Sequence, residues 1–259
     1  VISEGTSGHN LGRVDGSGTL ALQDGNFPAG VFNTFLECAN HSTIEYGGTG
    51  DYTIIADLYD EIPNLLFSGS GTKTLPAKDL TVCDSLIIGT GADNPVVDNT
   101  VYDRKLTILG AMKYRSGTFQ SGSGTGATVS FAASTAQTLG GILGDFTGSN
   151  AFNNLEINNS EGLTINPGGA IEVNGDLMLT EGLIHTAASD KLTLINPGSD
   201  CVIPVGGSDA SYVNGPLIKL INQGDNFSFP IGQGSLPGNR ITLSSTQTGR
   251  LLWTAQYIS

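Results

Sequence analysis

The stretch from Phe152 to Leu183 constrains the fold more than any other. It reads FNNLEINNSEGLTINPGGAIEVNGDLMLTEGL. Leu155-Glu156-Ile157, Leu163-Thr164-Ile165, Ile171-Glu172-Val173 and Leu177-Met178-Leu179 are short alternating runs separated by Asn, Gly, Ser or Pro-Gly. Period-2 alternation is the strand signature, and the breaks are too short and too rich in Gly and Asn for helices. Runs of about three residues are too brief for an ordinary sandwich, whose strands are typically five or six residues long. They fit a chain that coils and lays each short strand on the coil below. Leu155, Ile157, Leu163, Ile165, Ile171, Val173, Leu177 and Leu179 are expected inside. Glu156, Thr164, Glu172 and Met178 are expected outside.

An internal repeat supports the coil. Thr43-Ile44-Glu45-Tyr46 matches Thr128-Val129-Ser130-Phe131, and Tyr52-Thr53-Ile54 matches Gln137-Thr138-Leu139. Asn64-Leu65-Leu66-Phe67 matches Asn154-Leu155-Glu156-Ile157, and Thr74-Leu75 matches Thr164-Ile165. Leu80-Thr81-Val82 matches Ile171-Glu172-Val173, and Leu86-Ile87-Ile88 matches Leu177-Met178-Leu179. The offset drifts by a few residues, as corner insertions would cause. The reading is therefore all-β: a parallel β-helix or β-solenoid over residues 1–210, with related copies at about 43–88 and 128–179, and roughly 20–25 residues per coil. Further strands are expected over Val31–Leu36, Leu106–Leu109 and Lys113–Phe119. From residue 211 the runs lengthen. Tyr212–Leu220, Phe227–Gly232, Ile241–Leu243 and Leu251–Ala255 are expected to form a C-terminal antiparallel β segment, a cap or small β-sandwich, since exposed strand edges invite aggregation. The chain starts Val-Ile-Ser and stops at Ser259 inside a strand-like run, which reads as a mature piece or an ordered fragment of something longer, with 211–259 incomplete.

Charge excludes some functions. Lys plus Arg number 11 against 24 Asp plus Glu, a formal charge of −13. Such a chain repels phosphate backbones and anionic lipid. No run of 18 apolar residues exists, so no membrane insertion is expected. Charged residues make up only 14 % and glycines number 37, a composition that favours an extracellular β-rich protein over a cytosolic enzyme. Cys38, Cys83 and Cys201 show no CxxC or Cys/His metal spacing. One disulfide with a free thiol and three buried thiols are both open readings, with Cys83 at an outward or corner position.

Some segments resemble repeat modules of very large cell-surface, adhesin-like proteins of Bacteroidota exported by the type IX secretion route. Ser42-Thr43-Ile44-Glu45-Tyr46-Gly47-Gly48-Thr49-Gly50 is similar to their TVEYNGTG-like strand, and Asn64 through Pro76 (NLLFSGSGTKTLP) to their NLTLSGSGTKTLP-like turn. Tyr212–Leu220 with Phe227-Ser228-Phe229-Pro230-Ile231-Gly232 is similar to the VNGPL…FPIG segment that follows such modules. The resemblance covers most of residues 16–243. It implies a β-solenoid, export, and a place on the cell surface or in a surface filament. Two departures stand out: a long insert over Asp51–Pro63, and Leu80-Thr81-Val82-Cys83-Asp84-Ser85 in place of an Asn-Gly turn.

Catalytic signatures are sparse. His9, His41 and His185 are scattered, no G-x-S-x-G elbow occurs, and Gly122–Gly126 lacks the GK[ST] of a phosphate loop. Asp98, Asp103, Asp190, Asp200 and Asp209 are expected in loops, where paired carboxylates could serve glycoside hydrolysis. Asp190, Asp200 and Asp209 are also calcium candidates, with ordinary Gly-Ser-Asp turn chemistry as the other reading. Tyr46, Tyr52, Tyr102, Tyr114 and Trp253 could stack on sugars or plug the core. The expectation is a non-catalytic extracellular structural or adhesive protein, without cofactor unless calcium, that associates with itself, with neighbouring surface chains or with glycans. A carbohydrate-binding or polysaccharide-cleaving β-helix is the alternative. An ice-binding rod ranks last, because Thr43, Thr81, Thr164 and Thr193 form no single ladder.

Overall fold

The computed structural model describes residues 9–57, 59–234 and 240–258. The fold is nearly all β, a parallel β-solenoid with antiparallel strands near the C-terminal end. It divides into two compact units, residues 1–127 and 128–259.

In the first unit, one wall is built from Thr19–Leu22, Thr43–Tyr46, Glu61–Phe67 and Leu80–Ile88, each parallel to the next. Leu106–Ile108 and Ala111–Tyr114 both lie on Leu80–Ile88. A second wall stacks Tyr52–Thr53, Ser70–Thr74, Asn94–Asp98 and Thr118–Gln120, also parallel. Register follows the apolar pattern. Ile44 sits on Leu65, Leu65 on Leu86, and Leu86 on Met112, all buried. A slip of one residue would turn this whole column to solvent. From Thr43 to Asn64 to Ser85 to Ala111 the coils advance by 21, 21 and 26 residues.

The second unit has three walls. Thr128–Phe131, Asn154–Asn158, Leu177–Glu181 and Val202–Ile203 form the first. Gln137–Leu139, Leu163–Ile165, Ile184–His185, Val213–Asn214 and Ile231–Gly232 form the second. Ala170–Val173, Lys191–Leu194 and Leu217–Ile221 form the third, and Leu251–Ala255 closes it antiparallel. All eight residues expected inside are buried, and Glu156, Thr164, Glu172 and Met178 are half-buried or exposed. The repeat diverges in one place. In the second unit Asn174-Gly175-Asp176 breaks the chain into two strands on different walls, whereas Leu80–Ile88 runs unbroken through Cys83-Asp84-Ser85. Cys83-Asp84-Ser85 has no glycine in the place of Gly175, where a Cβ would lie 2.7 Å from the Asn153 carbonyl oxygen.

Other boundaries differ from expectation. Val31–Leu36 is not one strand. Ala29–Val31 is a strand, and Asn33–Leu36 is the α-helix among the described residues. Phe32 and Phe35 are both buried, with ring centroids 6.5 Å apart. Residues three apart share a helix face but point to opposite faces of a strand. Lys113–Phe119 breaks at Gly117 into two strands on different walls. Tyr212–Leu220 breaks at Gly215-Pro216, and both halves pair in parallel, so the solenoid continues beyond residue 211. Among the described residues the antiparallel strand pairs are Leu217–Ile221 with Leu251–Ala255 and Asn226–Phe229 with Ile241–Ser244, beside an isolated antiparallel bridge between Ala187 and Asp190.

Corners set the second constraint. A coil must turn sharply without leaving buried backbone groups unpaired. Gly69 turns with φ 75°, and a Cβ there would lie 2.0 Å from the Gly48 carbonyl oxygen of the preceding coil. Buried lysines do the polar work elsewhere. Lys73 occupies an inward position between Tyr52 and Val97. Its ammonium donates to Gly50 O at 2.9 Å and to Ser70 O, and lies 4.7 Å from the Tyr52 ring centroid. Lys219 sits beneath Leu194 and donates to Leu220 O at 2.7 Å and to Asn196 O. Burial pushes the pKa of both lysines down. The substitution Gly69→Ala is expected to cost at least about 2 kcal/mol, because both the positive φ and the facing backbone oppose a methyl group. Gly50→Ala, which meets open space, is expected to stay within about 0.5 kcal/mol of wild type. Urea unfolding of the two variants side by side checks this.

Candidate functional site

The first unit gathers an unusual donor set at one place on its surface. Cys38 opens the 3-10 turn Cys38–Asn40 that follows the helix. That turn is ended by His41 in the left-handed conformation, φ 54°. Glu61 is the first residue of Glu61–Phe67, and Cys83 lies in the middle of Leu80–Ile88. The coil stacks these elements, so the two sulfurs and a Glu61 carboxylate oxygen all lie within 4.8 Å of one another. Cys38 and Cys83 form a disulfide with Cα atoms 5.8 Å apart, bridging 45 residues. Glu61 Oε1 lies 3.1 Å from Cys38 Sγ and 3.3 Å from Cys83 Sγ. Glu61 is exposed and both cysteines are half-buried. Beside them, His41 Nδ1 lies 2.7 Å from Asp84 Oδ2.

Of the two readings left open for the cysteines, the structure has one disulfide and a buried free thiol, Cys201. Burial raises the Cys201 pKa, with the charge of Lys219 pulling the other way. Sequence spacing gave no hint of the Cys38–Glu61–Cys83 group, because the metal motifs in common use are local. The signal was the coil period: positions 38, 61 and 83 are separated by 23 and 22 residues, about one coil each.

The carboxylates considered for catalysis or calcium go to separate tasks. Asp98 ends a strand rather than lying in a loop, and accepts from Thr100 N at 2.7 Å. Asp103 accepts from Ser123 N at 2.9 Å. Asp190 is buried and accepts from Gly168 N at 2.8 Å and Ser189 Oγ at 2.6 Å. Asp200 and Asp209 are exposed. Asp200 raises the pKa of Asp176, where burial is the larger cause. Among the described residues, none of Asp190, Asp200 and Asp209 belongs to a cluster of three candidate ligands. Of the histidines, His41 faces Asp84 and His185 lies 3.1 Å from Asn214 Nδ2. Tyr46 is buried, its hydroxyl 2.5 Å from that of Tyr59, and burial raises both pKa values. Tyr52, Tyr114 and Trp253 are half-buried, while Tyr102 is 38 % exposed. Thr43 and Thr81 share the first wall of the first unit, while Thr164 and Thr193 lie on the second and third walls of the second unit, so the four form no single ladder.

Fold and site together define a parallel β-solenoid carrying a disulfide and a carboxylate on one surface. No protein-family model, curated protein or solved structure matches the chain.

One carboxylate that the sequence did not single out ties several coils together. Asp93 accepts from Gly69 N at 3.0 Å, Thr90 N at 2.7 Å and Ser116 Oγ at 2.7 Å. Burial alone would raise its pKa, but these donors together hold it below the usual 3.8. A folded-state pKa below the unfolded one gives stability that is present above about pH 4 and lost as pH falls through the folded value. Asp93→Ala is expected to cost about 1–3 kcal/mol at pH 7. Denaturation midpoints of wild type and variant should converge when pH is lowered from 7 to 3.

Proposed function

We propose that the chain is a non-catalytic extracellular structural or adhesive module, a building block of a cell-surface layer or filament. The observation that carries this reading is the outer strand Leu251–Ala255. It closes the third wall of the second unit, and its successive residues Leu251 and Leu252 are both exposed, Leu252 58 %. Ile241, in the neighbouring antiparallel pair, is also exposed. Exposed apolar side chains on an outermost strand favour pairing with another chain. The Cys38–Cys83 disulfide supports an oxidising, extracellular setting. The likeness of Ser42–Gly50, Asn64–Pro76 and Phe227–Gly232 to type IX-secreted Bacteroidota modules points to the same place. The formal charge of −13 weighs against a nucleic-acid partner. Among the described residues no helix is long and apolar enough to cross a membrane.

Light scattering and electron microscopy of the full chain test the reading. Concentration-dependent multimers or filaments are expected, and Leu252→Lys should weaken association by about tenfold or more. A strictly monomeric wild type would remove the self-assembling reading.

A second reading, glycan binding, rests on a hollow of about 250 Å³ in the first unit. Thr53 to Asp57, Pro76 to Lys78 and Tyr102 line it. It offers one exposed ring, a lysine and a carboxylate around an apolar floor, a combination suited to a sugar. On a glycan array wild type should bind and Tyr102→Ala should lose about tenfold, roughly 1.4 kcal/mol. No binding by wild type would end this reading.

A further inference from the structure

We propose that Cys38, Glu61 and Cys83 form a redox-gated site for a thiophilic divalent cation of the zinc class, closed in the disulfide form and open in the dithiol form. Glu61 faces both sulfurs. Its Oε1 lies 3.1 and 3.3 Å from the two sulfurs. A disulfide sulfur carries no proton to donate, so the contact gives the carboxylate no hydrogen bond in the oxidised state. The ion pairs among the described residues are Arg13–Asp15, His41–Asp84 and Lys78–Asp60, and Glu61 belongs to none of them. An anionic oxygen is thus held against two sulfurs without a charge partner.

The dithiol form changes this. A thiol reductant delivers two electrons and two protons to the S–S bond and is itself oxidised to a disulfide. Cys38 and Cys83 then each carry an S–H that can donate to Glu61. A divalent cation displaces those two protons to solvent and gains two thiolate ligands and one carboxylate oxygen. Three protein ligands with water in the fourth position is a known tetrahedral zinc arrangement, with Zn–S near 2.3 Å and Zn–O near 2.0–2.2 Å. Those bond lengths put neighbouring ligand atoms about 3.5–3.8 Å apart, close to the present oxygen-to-sulfur distances of 3.1 and 3.3 Å. Two sulfurs select a soft cation, and three ligands fall well short of the six to eight oxygens calcium takes. The ligands come from three stacked coils. The hydrogen-bond ladder between Glu61–Phe67 and Leu80–Ile88 keeps Glu61 beside Cys83 in either redox state, and the 3-10 turn Cys38–Asn40 ahead of Thr43–Tyr46 carries Cys38. Oxidation of the metal-bound pair by a disulfide-class oxidant removes two electrons, forms the S–S bond and releases the cation. In oxidising surroundings the disulfide prevails, and in reducing ones the dithiol site does.

The test uses the full chain, reduced with a phosphine and titrated with Co2+. One Co2+ per chain is expected, with a near-ultraviolet sulfur-to-cobalt band and the visible bands of a tetrahedral ion, displaced by Zn2+. The oxidised chain should take up none. Glu61→Gln, which keeps both cysteines, should weaken binding by about tenfold or more. Cys201→Ser should bind as wild type does. A reduced wild type that takes up no Co2+ overturns the proposal. So does Glu61→Gln binding as tightly as wild type, or loss of the signal in Cys201→Ser.

Discussion

Every other feature of this structure depends on the vertical contact between an inward side chain and its counterpart one coil earlier. Ile44, Leu65, Leu86 and Met112 form such a column in the first unit, and Val129, Leu155, Leu177 and Val202 form one in the second. Each buried aliphatic residue in these columns contributes about 1.5–3 kcal/mol relative to exposure. A three-residue strand has too few ladder bonds to hold its register alone. The columns supply what it lacks, because the pleat sends every second side chain inward and a slip of one residue would empty them. The parallel ladder in turn keeps the columns straight.

The cost of this arrangement falls at the corners, where backbone polar groups leave the ladder. The chain solves that locally and in several ways. Asn99 Nδ2 donates to Arg104 O and Ser121 O, at 2.8 and 3.1 Å. Asn159 Nδ2 donates to Thr135 O and Gln137 Oε1, both at 2.9 Å. Lys73 and Lys219 bring ammonium groups inside to answer carbonyls that face inward. A buried charge without partners would be costly, but one surrounded by carbonyl oxygens and an aromatic face is compensated. These residues explain how a core with lysines in it remains a core.

The walls were legible because alternation is a local signal. Leu155, Ile157, Leu163, Ile165, Ile171, Val173, Leu177 and Leu179 could be assigned inside from spacing alone. Corners were less legible. Phe32 and Phe35 read as strand until their three-residue spacing is weighed. Tyr212–Leu220 read as one unbroken run, although Gly215 within it has φ 135° and a Cβ there would lie 2.2 Å from Thr186 O. Lys73 carried no sign of burial, since its partners are backbone carbonyls, Gly50 O of the preceding coil and Ser70 O of its own strand. The candidate site was the least legible part. Cys38, Glu61 and Cys83 share no motif, and their disulfide depends on a stacking that only the assembled wall provides.

In a solenoid, sequence separation becomes proximity at multiples of the coil length, and here the step between stacked wall residues runs from 18 residues (Val213 to Ile231) to 29 (Ile184 to Val213). The variation comes from corners: Ser85 to Ala111 takes 26 residues, whereas Thr43 to Asn64, which contains Asp51–Pro63, takes 21, so that segment adds no length to its coil. A functional group assembled across coils therefore shows no fixed spacing, only approximate multiples of one period. Its chemistry depends on outward and corner positions, which the core leaves free to vary. The unbroken strand Leu80–Ile88 illustrates the consequence. Without the Asn-Gly turn found in the second unit, the chain keeps Cys83 on the wall instead of at a corner, within reach of both Glu61 and Cys38. The departure from the repeat and the gathering of the three donors are thus one structural event.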